Sequence, residues 1–497
     1  MNIGAFNYKV EKIIGFLDLE KHPVIRRSYD FRFAYISFLS AALRMGARNK
    51  EQVNDVLSTY KQRLLIKDSD FYDLQNIGFN GGEELFGTIL RMLDYSSNPL
   101  KSRKFKESSY SKLLLGEMLL IELNSSNEFN SNPIFRLYAN YFELPITVED
   151  EIKSVLIKIV SNEDVKGLLK LKRMELFKYF HDSAKAYWVQ EKTNSTNVTV
   201  VATMSSGKST LLNALLGKKV FPSENKACTS KYLKFTNKPK IRRETGIAAG
   251  KHSDTRWNLT YEDITRWNND SDIERIEMEG KMNSFSMLKK FNISFIDTPG
   301  TNNSRNRQHE TVTQEILEQK NSDVILYVLN ATNLASDDDK TLLRQVVKKL
   351  GNQRIIFLLN KTDQLDLDAD DSITDSLTIA REYVMEHGIV SPIIIPISSY
   401  AAGLFRCILD NRPLTKREKR DALTLLELFR IPQYDMNRYI DRNLIKSLPQ
   451  SAINVRLHRN IQIDNESISS REIYEAMKKT GIHILERLLL QSTKYTR

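Results

Sequence analysis

The chain has 497 residues, of which 41% are hydrophobic and 27% charged, with a formal net charge of +11 and two cysteines, Cys228 and Cys407. That length exceeds one typical core and points to two or three domains of an ordinary folded protein. A disulfide scaffold is excluded, neither cysteine has metal-ligand spacing, and the positive charge comes without a nucleic-acid motif, so nucleic acid is not an expected partner.

The richest apolar run, Leu113 to Leu123, is broken by Glu117 and Glu122 and is too short to span a bilayer. Residues 1–10 lack the basic-then-apolar order of a signal peptide, so a cytoplasmic location is expected.

Residues 1–190 carry apolar side chains every three or four positions, the period of helices, and are expected to form an all-α domain of about six or seven helices. Phe31, Tyr35, Phe38, Leu39, Ala42 and Leu43 mark one helical face, and Val53, Val56, Leu57, Tyr60 and Leu64 another. Breaks are expected at Asn80-Gly81-Gly82, at Ser96 to Pro99 and from Asn124 to Pro133. Thr147 followed by Asp150 reads as a capped helix start. A polar linker, Gln190 to Thr196, then ends the domain.

From Asn197 strands and helices alternate, which predicts an α/β fold with a mostly parallel sheet covered on both faces. The run Val198 to Val201 reads as a buried strand that leads through Thr203, Met204, Ser205 and Ser206 into Gly207-Lys208-Ser209-Thr210 and a helix closed by Gly217. This is the pattern of a phosphate-binding loop, in which successive backbone N–H groups and the positive end of a helix face one anion. Lys208 would reach the β and γ phosphates and the Ser209 hydroxyl would hold Mg²⁺. Ala202 stands where the first glycine of the pattern is expected, and its methyl group is expected to crowd the turn.

Later strands are predicted at Ile273 to Glu279, with the alternation of an edge strand, and at Phe291 to Ile296. Three more are predicted at Val324 to Leu329, apolar throughout as a central strand would be, at Arg354 to Leu359 and at Ile393 to Ile397. Thr229, in the loop after the first helix, offers a hydroxyl as a second Mg²⁺ ligand. The strand at 291–296 runs into Asp297-Thr298-Pro299-Gly300, where Asp297 can hold a Mg²⁺-bound water and the Gly300 N–H can meet the γ-phosphate. Asn360-Lys361-Thr362-Asp363 follows the next-to-last strand, and Asp363 can accept from both N1–H and the 2-amino group of guanine, an edge adenine lacks. Asn360 would tie the loops together, the Lys361 stem would cover the base, and the backbone of Ser398-Ser399 would meet the guanine O6. Three such patterns in this order, each at a strand's C-terminal end, arise by accident in roughly one chain in ten thousand or fewer.

With these residues in place the chain resembles the dynamin superfamily, particularly its bacterial dynamin-like members. The likeness rests on Met204 to Thr210 with Leu211 to Gly217, on Asp297 to Asn306, and on Tyr327 to Leu334 followed by Asp337-Asp338-Asp339. It implies a GTPase core over 191–400 between an N-terminal helical domain over 1–190 and a helix-rich insert over 401–479. A C-terminal helix over 480–497 would close the core. The resemblance gives Ser205 and Lys208 the role of stabilising the transition state and Thr229 that of holding water and metal. It implies GTP and Mg²⁺ as ligands, a homodimer across the nucleotide face, and coupling of hydrolysis to movement of the helical domain. A companion dynamin-like protein and a peripheral membrane contact, through Lys416, Arg417, Lys419 and Arg420, stay open.

Two positions depart from the family pattern. Thr301 stands where Ras-like enzymes place a water-positioning glutamine, and Met204 stands where dynamins often have glutamine, so slow turnover is expected. The alternatives are a GTP-dependent binding switch for a protein partner with little hydrolysis, or a pseudo-GTPase.

Overall fold

A computed structural model describes residues 12–46, 50–69, 109–122, 133–145, 147–191, 195–222, 231–251, 253–298, 322–349, 354–367, 372–450, 457 and 459–493. The breaks expected at Asn80 to Gly82 and Ser96 to Pro99, most of the one at Asn124 to Pro133, and Thr229, Gly300 and Cys228 lie outside them. Two compact units are present: one comprises 1–192, 240–245 and 255–258, the other 193–239, 246–254 and 259–497.

The first unit is built on helices α1 (Tyr29–Gly46), α2 (Lys50–Arg63), α3 (Ser109–Glu122), α4 (Pro133–Tyr141), α5 (Val148–Val160) and α6 (Lys178–Glu191). The expected stripe on α1, from Phe31 to Leu43, is buried throughout, as are Val56, Leu57, Tyr60 and Leu64. The side chain of Val53 lies outside those described. Each such side chain removed from water contributes about 1.5–3 kcal/mol, which is what holds helices that carry few caps. Helix α5 begins after Thr147 as the spacing predicts, yet Thr147 has helical angles and makes no side-chain cap. Glu149, Asp150 and Glu151 in its first turn supply charge of the sign the N-terminus favours.

Glu117, the acidic break in the apolar run, is buried among this helical core. Its carboxylate accepts from Tyr35 Oη at 2.7 Å and Tyr60 Oη at 2.9 Å, and His22 Nε2 lies 2.8 Å away. Satisfying both oxygens this way is what makes a buried carboxylate tolerable. The unit also recruits Ile241 and Trp257 into its core, from segments the periodicity of residues 1–190 does not include.

The second unit is a nine-stranded sheet in the order β4-β3-β5-β2-β6-β1-β7-β8-β9. Its strands are β1 (Thr196–Ala202), β2 (Tyr232–Asn237), β3 (Thr245–Gly250), β4 (Ser253–Arg256), β5 (Ile273–Gly280), β6 (Ile293–Asp297), β7 (Val324–Asn330), β8 (Arg354–Asn360) and β9 (Ile394–Ile397). β1 pairs in parallel with β6 and β7, β7 with β8, and β8 with β9, whereas β2 runs antiparallel to β6. The central place of β7 is the one its unbroken apolar run predicts. β5 departs from expectation: it lies between β3 and β2 inside the sheet, and β4 forms that edge. Its alternation marks unequal cover on its two faces, since Ile276 and Met278 are buried while Arg275 stays exposed.

Helices α7 (Lys208–Leu216), α8 (Tyr261–Asn269), α9 (Asp337–Lys349) and α10 (Ile373–Glu386) connect the strands. Beyond β9 come α11 (Ser399–Leu409) and α12 (Lys416–Leu428), then α13 (Arg442–Ser447), a hairpin of β10 (Asn460–Ile463) and β11 (Glu466–Ser469), α14 (Ser470–Lys479) and α15 (Ile482–Ser492). All of these share one hydrophobic core with the sheet. The last helix is buried almost all round rather than along one stripe, from Ile482 through Leu490 with Arg487 half-exposed. No helix among the described residues is long and apolar enough to cross a membrane.

Candidate functional site

β1 delivers its chain end to the turn at 203–207 because Val198, Val200 and Val201 are locked between β6 and β7. Ala202 is the last residue of that strand, paired in register with Val328 and buried. The crowding expected of its methyl group is absent, because the residue is extended and packs into the core. The left-handed positions are Ser205, at φ +59°, and Gly207, at φ +87°. At Gly207 a side chain is excluded twice, by the backbone angle and by the Asn360 amide that a Cβ would strike. Inside the turn the Thr203 and Ser206 hydroxyls lie 2.8 Å apart, and the Ser206 N–H donates to the Thr203 carbonyl at 3.4 Å.

The turn passes directly into α7, so Lys208, Ser209 and Thr210 form the helix's first turn, where backbone N–H groups have no partner within the helix. Lys208 is 8% exposed, and its ammonium group is paired with Oδ1 of Asp297, which is 1% exposed. Asp297 closes β6, and its second oxygen, Oδ2, is buried without a hydrogen-bond partner. The Thr298 hydroxyl donates to the Val200 carbonyl at 2.8 Å and fixes the start of the segment that leads to Gly300. This last tie was not read from the sequence, because an Asp-Thr-Pro-Gly turn does not reveal which strand its threonine grips.

β8 brings Asn360 to the same end of the sheet, in register with Asn330 of β7. The Asn360 Nδ2 donates to the Ser206 carbonyl at 2.8 Å, and its Oδ1 accepts from the Ser399 N–H at 3.1 Å. One side chain thus joins the turn at 203–207 to the loop after β9. Lys361 follows in the left-handed region at φ +67°, which turns the chain so that Asp363 faces that loop. Burial raises the Asp363 carboxyl above the usual carboxylate range, opposed by a hydrogen bond with Ser398 and by the charge of Lys361. Ser398 also caps α11, accepting from the Ala401 N–H at 3.3 Å.

The structure therefore brings together Ser205, Ser206, Gly207, Lys208, Ser209, Thr210, Asp297, Asn360, Lys361, Asp363, Ser398 and Ser399, all at the C-terminal edge of the parallel strands. Open α/β sheets bind their ligands there. Thr229 and Gly300 lie outside the described residues. Oxygen donors suit magnesium, and the unpaired Oδ2 of Asp297 beside the Ser209 helix terminus fits such an ion. Met204, 41% exposed, presents a thioether and no group that could orient water.

A phosphate-type loop, a carboxylate at the end of the neighbouring strand and an Asn-Lys-x-Asp turn define the nucleotide-binding core of a P-loop GTPase domain. Residues 198–362 match the Dynamin family profile, and the domain is of the dynamin superfamily. An uncharacterised protein encoded in the xynA 3′ region of Caldicellulosiruptor sp. (strain Rt8B.4) is 24% identical over 240 residues, 48% of this chain and 55% of that one. The chain spans about half the length of this curated relative. Among solved structures, a member of an oligomerised bacterial dynamin pair, described as sensing and tethering membranes, aligns over 84% of this chain and 74% of its own, at 13% identity and TM-score 0.35. The G domain of the T. maritima FeoB iron transporter aligns over 41% and 89%, at 15% identity and TM-score 0.23. Toc33 from Arabidopsis thaliana aligns over 46% and 78%, at 14% identity and TM-score 0.25.

Proposed function

We propose that the chain binds GTP with Mg²⁺, hydrolyses it as a dynamin-like GTPase, dimerises across the nucleotide face and couples turnover to movement of its helical domain over 1–190. The observation that supports this reading best is the double hydrogen bond of Asn360, which joins the Ser206 turn to the Ser399 loop. A nucleotide has phosphates at one end and a base at the other, and a bridge of that kind fixes the distance between the groups that would recognise each.

In this reading Asp363, ionised, accepts from N1–H and the 2-amino group of guanine, while Lys361 covers the ring and the Ser398-Ser399 backbone meets O6. Ser205, Ser206, Gly207 and Thr210 offer N–H groups to the phosphates. Lys208 leaves Asp297 for the β and γ phosphates, where its charge opposes the negative charge spread over the transferred group. The freed Asp297 carboxylate, Ser209 and Thr229 would hold Mg²⁺, which supplies charge neutralisation at the phosphates. Gly300 would carry the N–H that senses the γ-phosphate. Ser205 and Thr229 would position the attacking water.

A second reading, a GTP-dependent switch with little hydrolysis, is favoured by Met204 at the position before Ser205. A pseudo-GTPase loses one of its two motives, since Ala202 fits the strand. We place the protein in the cytoplasm. A lipid contact through residues 416–420 is weakened by pairing, with Lys419 3.1 Å from Asp464 and Arg417 3.7 Å from Asp421. Phosphate release with GTP and with ATP, combined with sedimentation in the presence of a transition-state mimic, tests the proposal. GTP-selective release and a mimic-induced dimer are expected; equal rates with both nucleotides would refute the guanine assignment, and a monomer throughout would refute dimerisation.

A further inference from the structure

Arg406 and Glu486 are both fully buried, with relative exposure of 0% each, inside the sheet unit. Arg406 lies on α11 and Glu486 on α15. The Nη1 of Arg406 donates to the carbonyls of Ala214 at 2.6 Å and Leu215 at 3.2 Å. Those two residues form the last turn of α7, the helix whose first turn holds Lys208, Ser209 and Thr210. The Nη2 lies 2.8 Å from Glu486 Oε1, an ion pair rather than a well-aimed hydrogen bond. Glu486 is held in turn by the Ser286 hydroxyl at 2.7 Å and the Met287 N–H at 3.4 Å.

Desolvating two charges completely is costly, and a core of this size could be filled with apolar residues instead. The guanidinium also stands where a helix has its partial negative charge, on the carbonyl of Leu215 and on that of Ala214, which the Gly217 N–H also reaches at 3.2 Å. α11 packs against α7 beside Gly403, where a Cβ would make an ordinary van der Waals contact with Ala214 at 3.7 Å. α7 spans only Lys208–Leu216, so a shift of its C-terminal turn carries its N-terminal turn with it.

We propose that Arg406 is a positioning residue for the phosphate loop: held by Glu486, it fixes the far end of α7 and thereby sets the placement of Lys208 and Ser209. The inference rests on the GTPase reading for its catalytic consequence. The C-terminal helix becomes, through Glu486, a determinant of turnover although it contributes no group to the site. Arg406 acts at a distance and touches neither nucleotide nor metal.

The test is the pair variant Arg406→Met/Glu486→Met, which removes both charges at similar volume and so keeps the core filled, alongside Glu486→Gln. Amide exchange across 208–217 is measured without nucleotide, together with kcat and KM for GTP. The proposal expects the pair variant to keep wild-type protection in β7 and β8, to exchange at least about tenfold faster in α7, and to lose about tenfold in kcat with KM changed less than about threefold. Glu486→Gln, which keeps an acceptor for Ser286, is expected to fall between the two. Wild-type exchange in α7, or faster exchange with unchanged kcat, would overturn the proposal. Loss of protection in β7 and β8 as well would overturn it too, since the pair would then hold the whole unit. Should the unaltered protein release no phosphate from GTP, the GTPase reading fails, and the α7 exchange result decides the positioning claim by itself.

Discussion

Asn360 donates its side-chain amide to the carbonyl of Ser206 at 2.8 Å across 154 residues of chain, and the same amide occupies the space a side chain on Gly207 would need. The two constraints are one device. A glycine at φ +87° lets the turn pass close beneath Asn360, and Asn360 then holds that turn to the loop at Ser399.

Gly207→Ala is therefore expected to abolish nucleotide binding, because the left-handed angle and the clash act together. Asn360→Ala is expected to weaken binding while leaving the sheet folded, since only the buried Ser206 carbonyl and Ser399 N–H lose a partner. Calorimetric titration with a guanine nucleotide, beside circular dichroism for the fold, checks both; tight binding by either variant would break the link drawn between bridge and site.

Asp363 sets the base preference. Asp363→Asn exchanges an acceptor for a donor, which suits the C2 carbonyl of xanthine and mismatches the 2-amino group of guanine. A change of preference from GTP to XTP of at least about a hundredfold is expected, since a hydrogen-bonding site rejects a mismatched partner strongly. Retained preference for GTP would remove Asp363 from the base site.

The pH dependence of binding follows from the same carboxyl. Its folded pKa is raised, so the ionised form that accepts from guanine is lost on acidification sooner than for an ordinary aspartate. GTP affinity is expected to fall as pH drops through that raised value. A wild-type affinity that stays constant down to the usual aspartate range would contradict this.

Lys208 and Asp297 form a buried pair, with exposures of 8% and 1%. Lys208→Met leaves a carboxylate uncompensated and is expected to cost about 3 kcal/mol of stability, most of it recovered in Lys208→Met/Asp297→Asn. Urea unfolding without nucleotide measures both. Equal stability of the two variants would show that the uncompensated Asp297 carboxylate is not the source of the loss.

His483, packed on Tyr474 and near Arg406 and Lys478, has its pKa pulled down to about 3 by burial and then by those two positive charges. A histidine depressed in the folded state binds its proton more readily when unfolded, so stability is lost as pH falls below the unfolded value near 6.5. Between pH 7 and 5 the loss is about 2 kcal/mol. His483→Gln is expected to reduce the acid sensitivity by that amount; an unchanged pH profile of the melting temperature would contradict it.

Much of the site was legible because its motifs are local: β1, β6 and β8 each end in a short run whose chemistry is set by adjacent residues. The central place of β7 could be read from Val324 to Leu329, since a strand covered on both faces has no polar positions. β2, β3 and β4 were missed, as Tyr232–Asn237 mixes polar and apolar residues and Thr245–Gly250 contains two glycines and two alanines. β5 was read as an edge because alternation reports cover on the faces of a strand and says nothing about its neighbours in the sheet. The recruitment of Ile241 and Trp257 into the helical core, and the Arg406 contact with α7, are long-range pairings with no local signature. Ala202 shows the opposite error, a rule about glycine applied to a position that proved to be strand.

The central claim is that one guanine nucleotide is held jointly by Lys208 and Asp363, and calorimetric titration of the magnesium-containing protein with GTP and with ATP tests it most directly. Binding of GTP in the micromolar range or tighter, lost in Lys208→Ala and in Asp363→Ala, with ATP at least about a hundredfold weaker, is the predicted result. Equal affinity for the two nucleotides, or GTP binding that survives both substitutions, would contradict it.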